Sequence, residues 1–249
     1  MTSTKKIFSK IVGWFGYKLF NKNYVKNLKS LSKESKLNLD YILGKIFERN
    51  NIQSLVQIGA NDGLRFDHLK KYLSDKNLKA ILVEPVPKYF NKLSDNYFGF
   101  ENIILENYAI SETNSITSIF CVRDQYLENY SDHIKGINSF DINHLTSHGV
   151  NKKHIEKISV KTIKLSELII KHSINNLDLL YIDAEGYDAN IVLDFLSNNL
   201  MKPIIIFEYI HINNTLLDKV IQKLLEKKYS FFEVKENLVC TPENKIPTL

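Results

Sequence analysis

Two short stretches of the chain carry residue types that can hold a nucleoside. Gly59-Ala60-Asn61-Asp62-Gly63 follows an apolar run, Ser54–Ile58, and Glu84 closes a second run, Lys79–Val83, just before Pro85. Gly59 permits a tight turn and Gly63 a close approach of backbone to ligand. A helix opening after the turn would aim free N–H groups at an anionic group. An acid ending the second run can accept two hydrogen bonds from ribose hydroxyls, and Glu84 lies 21 residues after Gly63, a spacing suited to an adenosine-type ligand. Asn61 stands where a second glycine would admit a pyrophosphate. That disfavours a dinucleotide and leaves a ligand with one adenosine and a small charged tail, a description that S-adenosylmethionine fits.

Four later residues could do proton chemistry. Asp183 and Glu185 follow the apolar run Leu177–Ile182, Glu208 follows Pro203–Phe207, and His211 is three residues on. If both runs are strands of one sheet, the four groups converge at one rim. Asp183 is the first candidate for a base, or for the group that orients a hydroxyl. Glu185 can share that work, and His211 suits proton transfer near neutral pH. Two other roles stay open for the acids: fixing the loop, or holding a hard divalent cation through Asp183, Glu185 and Glu208. No metal set is assigned. His144 and His148 have the i,i+4 spacing of helical zinc ligands, with His154 nearby, but no neighbouring Cys or carboxylate pair completes a set, so they read as loop histidines.

These groups need a scaffold, and the apolar periodicity outlines one. Asn38 or Asp40 can cap a helix running to about Arg49; Leu64, Phe66, Leu69, Tyr72 and Leu73 suggest a helix after the glycine turn; Pro87 can open another. Asn102–Glu106 reads as a third strand, Ile191–Leu196 and Leu216–Leu225 as helices, and 231–234 with 238–241 as a closing hairpin. Strands apolar on both faces, alternating with helices, specify an α/β fold: a mostly parallel, doubly wound sheet with a C-terminal antiparallel hairpin. Residues 123–157 are polar and break the rhythm, which marks a lid or substrate loop.

The chain of 249 residues, 44% hydrophobic, is long enough for one well-buried core. The expected division is a basic helical N-terminal arm, 1–50, and a body, 51–249. Residues 1–30 hold seven Lys and no acid, while the whole chain carries +5, so the remainder carries a net −2. A near-neutral body argues against nucleic acid as a partner. Residues 5–20 repeat apolar side chains at helical spacing, with Lys10 and Lys18 breaking any signal-peptide core. Such a helix either lies on an anionic membrane surface or packs on its own domain or on a twin subunit in a homo-oligomer. Two Cys, 121 and 240, suit a cytoplasmic setting, with the inner membrane face as the place of any peripheral contact.

From about Ser54 to Tyr209 the chain resembles the FkbM family of S-adenosylmethionine-dependent methyltransferases. The resemblance rests on Val56–Gly63, Val83-Glu84-Pro85, Asn107–Ile110, Lys164–Leu168, Leu180–Gly186 and Ile206-Phe207-Glu208, in that order. It implies a Rossmann-like methyltransferase domain that methylates hydroxyl groups, often on sugars or secondary metabolites, with S-adenosylhomocysteine as product. It implies a cofactor over Gly59–Gly63, Glu84 on the ribose and Asn107 near the adenine. Gln57 replaces the family's usual Asp, which helps hold the amino end of the methionine part; Tyr181 replaces a frequent Lys; Ser166 replaces a frequent Asp and reads as a helix N-cap. The expected function is therefore O-methyl transfer to a small-molecule or glycan acceptor. The alternatives are a scaffold that binds cofactor without catalysis and a nucleic-acid methyltransferase.

Overall fold

The computed structural model describes residues 38–65, 67–243 and 245. The amphipathic stretch 5–20 and the Lys-rich segment 1–30 lie outside the described residues. No described helix is long and apolar enough to cross a membrane.

The first described element, α1 (Leu39–Arg49), is capped by Asn38, whose side chain accepts the Tyr41 N–H. Its buried face, Leu39, Ile42, Leu43 and Ile46, packs into one layer of the core with residues of the sheet. This portion of the expected arm is thus built into the body. A seven-stranded sheet follows, made of β1 (Ser54–Ile58), β2 (Lys79–Val83), β3 (Ile103–Glu106), β7 (Leu179–Ile182), β8 (Ile204–Glu208), β9 (Tyr229–Val234) and β10 (Asn237–Pro242). Its order is β3-β2-β1-β7-β8-β10-β9. The first five strands run parallel, and β10 is antiparallel to both β8 and β9.

The strands are apolar on both faces because each face is covered. Val56, Ile58, Leu180, Ile182, Ile205 and Phe207 face a layer that includes α6 (Leu165–Lys171), α7 (Asp188–Asn198) and α8 (Asn214–Glu226). Leu55, Leu82, Leu179, Ile204 and Ile206 face α1 and α2 (Lys70–Leu73). Burying each such side chain contributes about 1.5–3 kcal/mol, so register is strongly specified: a one-residue slip would exchange the two layers. Between β2 and β3 lies α3 (Pro87–Asn96), with Pro in its first turn.

Three sequence expectations change. The helix foreseen after Gly63 does not start there: α2 begins only at Lys70. The intervening N–H groups are taken by side chains, Asp62 Oδ1 accepting from Leu64 and Arg65 and Asp67 Oδ1 from Leu69. Among the described residues, the next helix therefore does not open at the turn. Residues 123–157 are also more than a loop. They belong to an insert in which β4 (Ala109–Ile110), β5 (Ile116–Val122) and β6 (Ile155–Ile163) form a second sheet. Between β5 and β6 run a 3-10 turn at 124–129, α4 (Asp132–Gly136) and α5 (Ile142–Ser147). Val122, Ile137, Leu145, Val150 and Ile155 give this insert its own small core. Finally, Ser166 lies inside α6, and the N-cap is Lys164.

One close contact sets where the strand ends meet. Gly59, at φ +82°, lies against the backbone of Asp183: a Cβ added at Gly59 would sit 1.8 Å from the Asp183 carbonyl oxygen. Gly59→Ala combines that clash with a left-handed backbone. We expect a loss of about 3 kcal/mol or more in urea unfolding; a variant within 0.5 kcal/mol of the parent would show that the two strand ends are not held this tightly.

Candidate functional site

The parallel strands all end on the same rim, and the insert covers it. Between them is a cavity of about 450 Å³. Its walls include Gln57, Gly59, Ala60, Asn61, Asp62, Glu84 and Pro85 from the β1 and β2 ends, and Asp183, Glu185, Glu208 and His211 from the β7 and β8 ends. The two groups of residues singled out in the sequence thus face one space. The insert adds Leu127, Glu128, Asp132, Lys135, Asn138 and Phe140.

On the nucleoside side, Glu84 is the organising group. Its carboxylate is buried, with Oε2 accepting the Asn61 N–H at 2.9 Å and Oε1 accepting the Val86 N–H at 2.9 Å. It holds the turn in a left-handed conformation at Asn61, φ +48°. Burial raises the Glu84 pKa to about 7, against the pull of those two N–H groups. Asn61 Oδ1 accepts from the Asp62 N–H, and its Nδ2 reaches the Gly136 carbonyl of the insert at 3.4 Å. Asp62 is spent on closing its own loop.

Two expected ligand residues have other work. A Cβ at Gly63 would lie 2.4 Å from Tyr97 and 2.6 Å from Leu93, so this glycine serves the packing of the turn on α3, and it is not among the cavity walls. Asn107 donates to the carbonyls of Glu84 and Pro85, pinning the end of β2, while its neighbours Tyr108 and Ala109 line the cavity.

Gln57 is buried in the cavity wall, its Nε2 donating to Asp67 Oδ1 at 3.3 Å. Gln57 Oε1 and Asp67 Oδ2 are both buried and have no hydrogen-bond partner among the described residues. Burial raises the Asp67 pKa. Two adjacent unpartnered acceptors call for a donor, and an ammonium group carries three hydrogens that could satisfy them. Asp67 escaped the sequence reading because it was placed within an expected helix; the signal was an acid ten residues after an unusual Gln.

On the opposite side the acids cluster. Asp183 is exposed to the cavity, and its pKa lies well above the usual carboxylate range, because the surrounding protein weakens its solvation and then because of the charges of Glu185, Asp188 and Glu208. Burial and the charges of Glu185, Asp188 and Glu236 raise the Glu208 pKa to about 8. Asp188, fully buried, accepts from the Ala184 and Gly186 N–H groups at 3.3 Å and so shapes the loop carrying Asp183 and Glu185. Burial raises its pKa to about 6. Glu185 sits at φ +50°, its carbonyl accepting from Ser139 Oγ at 2.8 Å. This second left-handed residue is tied to the insert, as Asn61 is.

The histidines also come together. Glu185 Oε2 is 3.0 Å from His144 Nε2, and the ring centroids of His144, His148 and His211 are 4.6–4.9 Å apart. His144 and His148 are therefore not isolated loop residues, because His211 arrives from beyond β8. Burial and the two neighbouring imidazoles lower the His211 pKa. His154 is elsewhere, stacked on Tyr126 and bonded to Tyr130.

The profile of the methyltransferase FkbM domain family matches residues 57–231, well over half of the chain. Among solved structures, the chain is similar to methyltransferase FkbM from Methylobacillus flagellatus, with 12% identity, a TM-score of 0.46 and coverage of 76% of this chain and 43% of that one. It thus spans less than half the length of that protein. It is also similar to an S-adenosylmethionine-dependent O-methyltransferase from Thermotoga maritima, with 8% identity, a TM-score of 0.39 and coverage of 84% and 66%. A third is the SAH-bound methyltransferase from Podospora anserina, with 11% identity, a TM-score of 0.41 and coverage of 92% and 99%. No curated protein matches in sequence.

The acid cluster has a cost that pH exposes. With its pKa raised from an ordinary 4.5 to about 8, Glu208 binds a proton in the folded state that the unfolded chain has already released. Its contribution to stability is present below 4.5 and is lost as pH rises through 8. Glu208→Gln should therefore match the parent near pH 4.5 and be more stable at pH 9, by about 2 kcal/mol after allowance for solvent, or roughly 4–8 °C in Tm. Equal melting curves at both pH values would contradict the assignment.

Proposed function

The chain belongs to the methyltransferase FkbM domain family, and from that premise we propose that it transfers the methyl group of S-adenosylmethionine to a hydroxyl of a sugar, glycan or glycosylated precursor. The observation that carries this reading is that Gly59–Asp62, Glu84 and Asp183 wall a single cavity.

The residues fit the donor. Each Glu84 oxygen accepts one backbone N–H and keeps a lone pair for a ribose hydroxyl. The unpartnered Gln57 Oε1 and Asp67 Oδ2 fit the ammonium end. Asp67 thereby restores a carboxylate beside the position where the family usually has one, which weakens the reading of a non-catalytic scaffold. When bound, S-adenosylmethionine supplies an electrophilic methyl group on a cationic sulfur.

Asp183 is the group that takes the proton of the acceptor hydroxyl. Its raised pKa makes it a stronger base than an ordinary carboxylate, while a cation in the cavity draws it toward its ionised form. Glu185 and Glu208 share the wall and can accept hydrogen bonds from neighbouring hydroxyls of the acceptor. A face of hydrogen-bonding carboxyl groups suits a neutral, hydroxyl-rich acceptor. The insert is joined to both loops through Gly136 and Ser139 and so covers the rim.

Two measurements test the reading. Asp183→Asn should lower kcat for methyl transfer to a sugar hydroxyl about 10²–10³-fold while changing the Kd for S-adenosylhomocysteine less than threefold; retained turnover would remove Asp183 as the base. Asp67→Ala should weaken S-adenosylhomocysteine about tenfold and leave 5′-methylthioadenosine, which lacks the amino-acid end, unchanged. An equal loss for both ligands would show that Asp67 acts on the fold and not on the ammonium.

A further inference from the structure

We infer that His144, His148 and His211 form a binding site for a transition-metal ion of the zinc class, placed where the insert meets the main sheet. Each residue offers one nitrogen, and the three donor atoms lie within 4.8 Å of one another. Bound zinc holds imidazole nitrogens at about 2.0–2.1 Å, so ring rotations closing the triangle by about 1 Å complete the site. His144 and His148 lie one turn apart, in α5 and at its C-cap, and His211 follows β8. One face of the site therefore belongs to the insert and the other to the body.

The surrounding contacts leave one nitrogen of two rings for the ion. His144 Nε2 is engaged with Glu185 Oε2 at 3.0 Å, and His148 Nδ1 with the His144 carbonyl at 2.9 Å. Each ring keeps a second nitrogen, while a carboxylate or a carbonyl at the first fixes the tautomer, the usual support of metal-bound histidines. His211 lies 3.8 Å from Glu208 Oε2 and lines the cavity. Three neutral nitrogen donors suit zinc, copper or nickel and not magnesium or calcium, which take oxygen. This site differs from the Asp183–Glu185–Glu208 cation set considered from the sequence: Glu185 and Glu208 border it but do not form it. Three protein ligands leave a fourth position for water or for an oxygen of a molecule in the cavity.

The ion ties the insert to the sheet, so metal should act on stability without any turnover. The test uses the untagged chain, stripped with a chelator and titrated with Co²⁺ and then Zn²⁺. The expected result is one Co²⁺ per chain with the intense visible absorption of a four- or five-coordinate ion, displaced by Zn²⁺. A Zn²⁺-dependent rise in Tm of about 5 °C should accompany it. His144→Ala, His148→Ala and His211→Ala should each lose this response, while His68→Gln, whose ring pairs with Asp40, keeps it. X-ray absorption on the zinc-loaded parent decides the ligand count without any variant: three imidazoles support the site. No binding by the parent at 100 µM metal, or fewer than three imidazoles on the ion, overturns it. Binding of S-adenosylhomocysteine, measured on the same stripped sample, stands apart from this result, so the failure of one reading is distinguishable from the failure of the other.

Discussion

The contact on which the arrangement depends is the abutment of Gly59 on the backbone of Asp183. Only a residue without a Cβ lets the end of β1 lie this close to the end of β7. Three ladder bonds make the contact unavoidable: Gly59 and Ala60 donate to the Val83 carbonyl, and Asp183 donates to that of Ile58. The ends of β2, β1 and β7 are thereby joined at one level. Glu84, which follows β2, and Asp183, which follows β7, come to flank the same turn. Everything that faces the cavity follows from this level rim, including the two left-handed residues, Asn61 and Glu185, that turn their loops over it. Each of these loops is then bound to the insert, so the cover is fastened to the part of the sheet it covers.

That rim crowds more acid together than a stability-optimised fold would tolerate. Glu84, Asp183, Asp188 and Glu208 all have raised pKa values, with lost solvation as the largest cause in each. The four do not play one part. Glu84 and Asp188 are held by backbone N–H groups and shape the turn and the loop. Asp183 and Glu208 face the open space. Acids kept at such a cost are expected where a cationic ligand compensates them. A positive charge between the two loops, such as a sulfonium centre, would compensate them.

Much of this was legible in the sequence, because strands buried on both faces leave continuous apolar runs. The five parallel strands, the Asn38 cap, Pro87 and the closing hairpin stand where the periodicity puts them. The carboxylates at the strand ends could be found for the same reason. What was hidden rests on side chains competing with regular structure. Asp62 and Asp67 capture N–H groups that a helix would otherwise have left free, so the apolar spacing of 64–73 misleads. Gly63 and Asn107 occur in ligand-binding patterns, yet one packs on α3 and the other pins β2. In the insert, β6 mixes polar with apolar residues over Ile155–Ile163 and has no continuous apolar run to mark it as a strand. The convergence of His211 with His144 and His148 has no local signal at all, since it depends on how the insert folds back onto β8.

The central claim is spatial, and a crystal structure of the protein grown with S-adenosylhomocysteine tests it most directly. The ribose hydroxyls are expected within hydrogen-bond distance of Glu84, the ammonium against Gln57 Oε1 and Asp67 Oδ2, and the sulfur turned toward Asp183. Density for the nucleoside outside this cavity, or inside it with the sulfur turned away from Asp183, would contradict it.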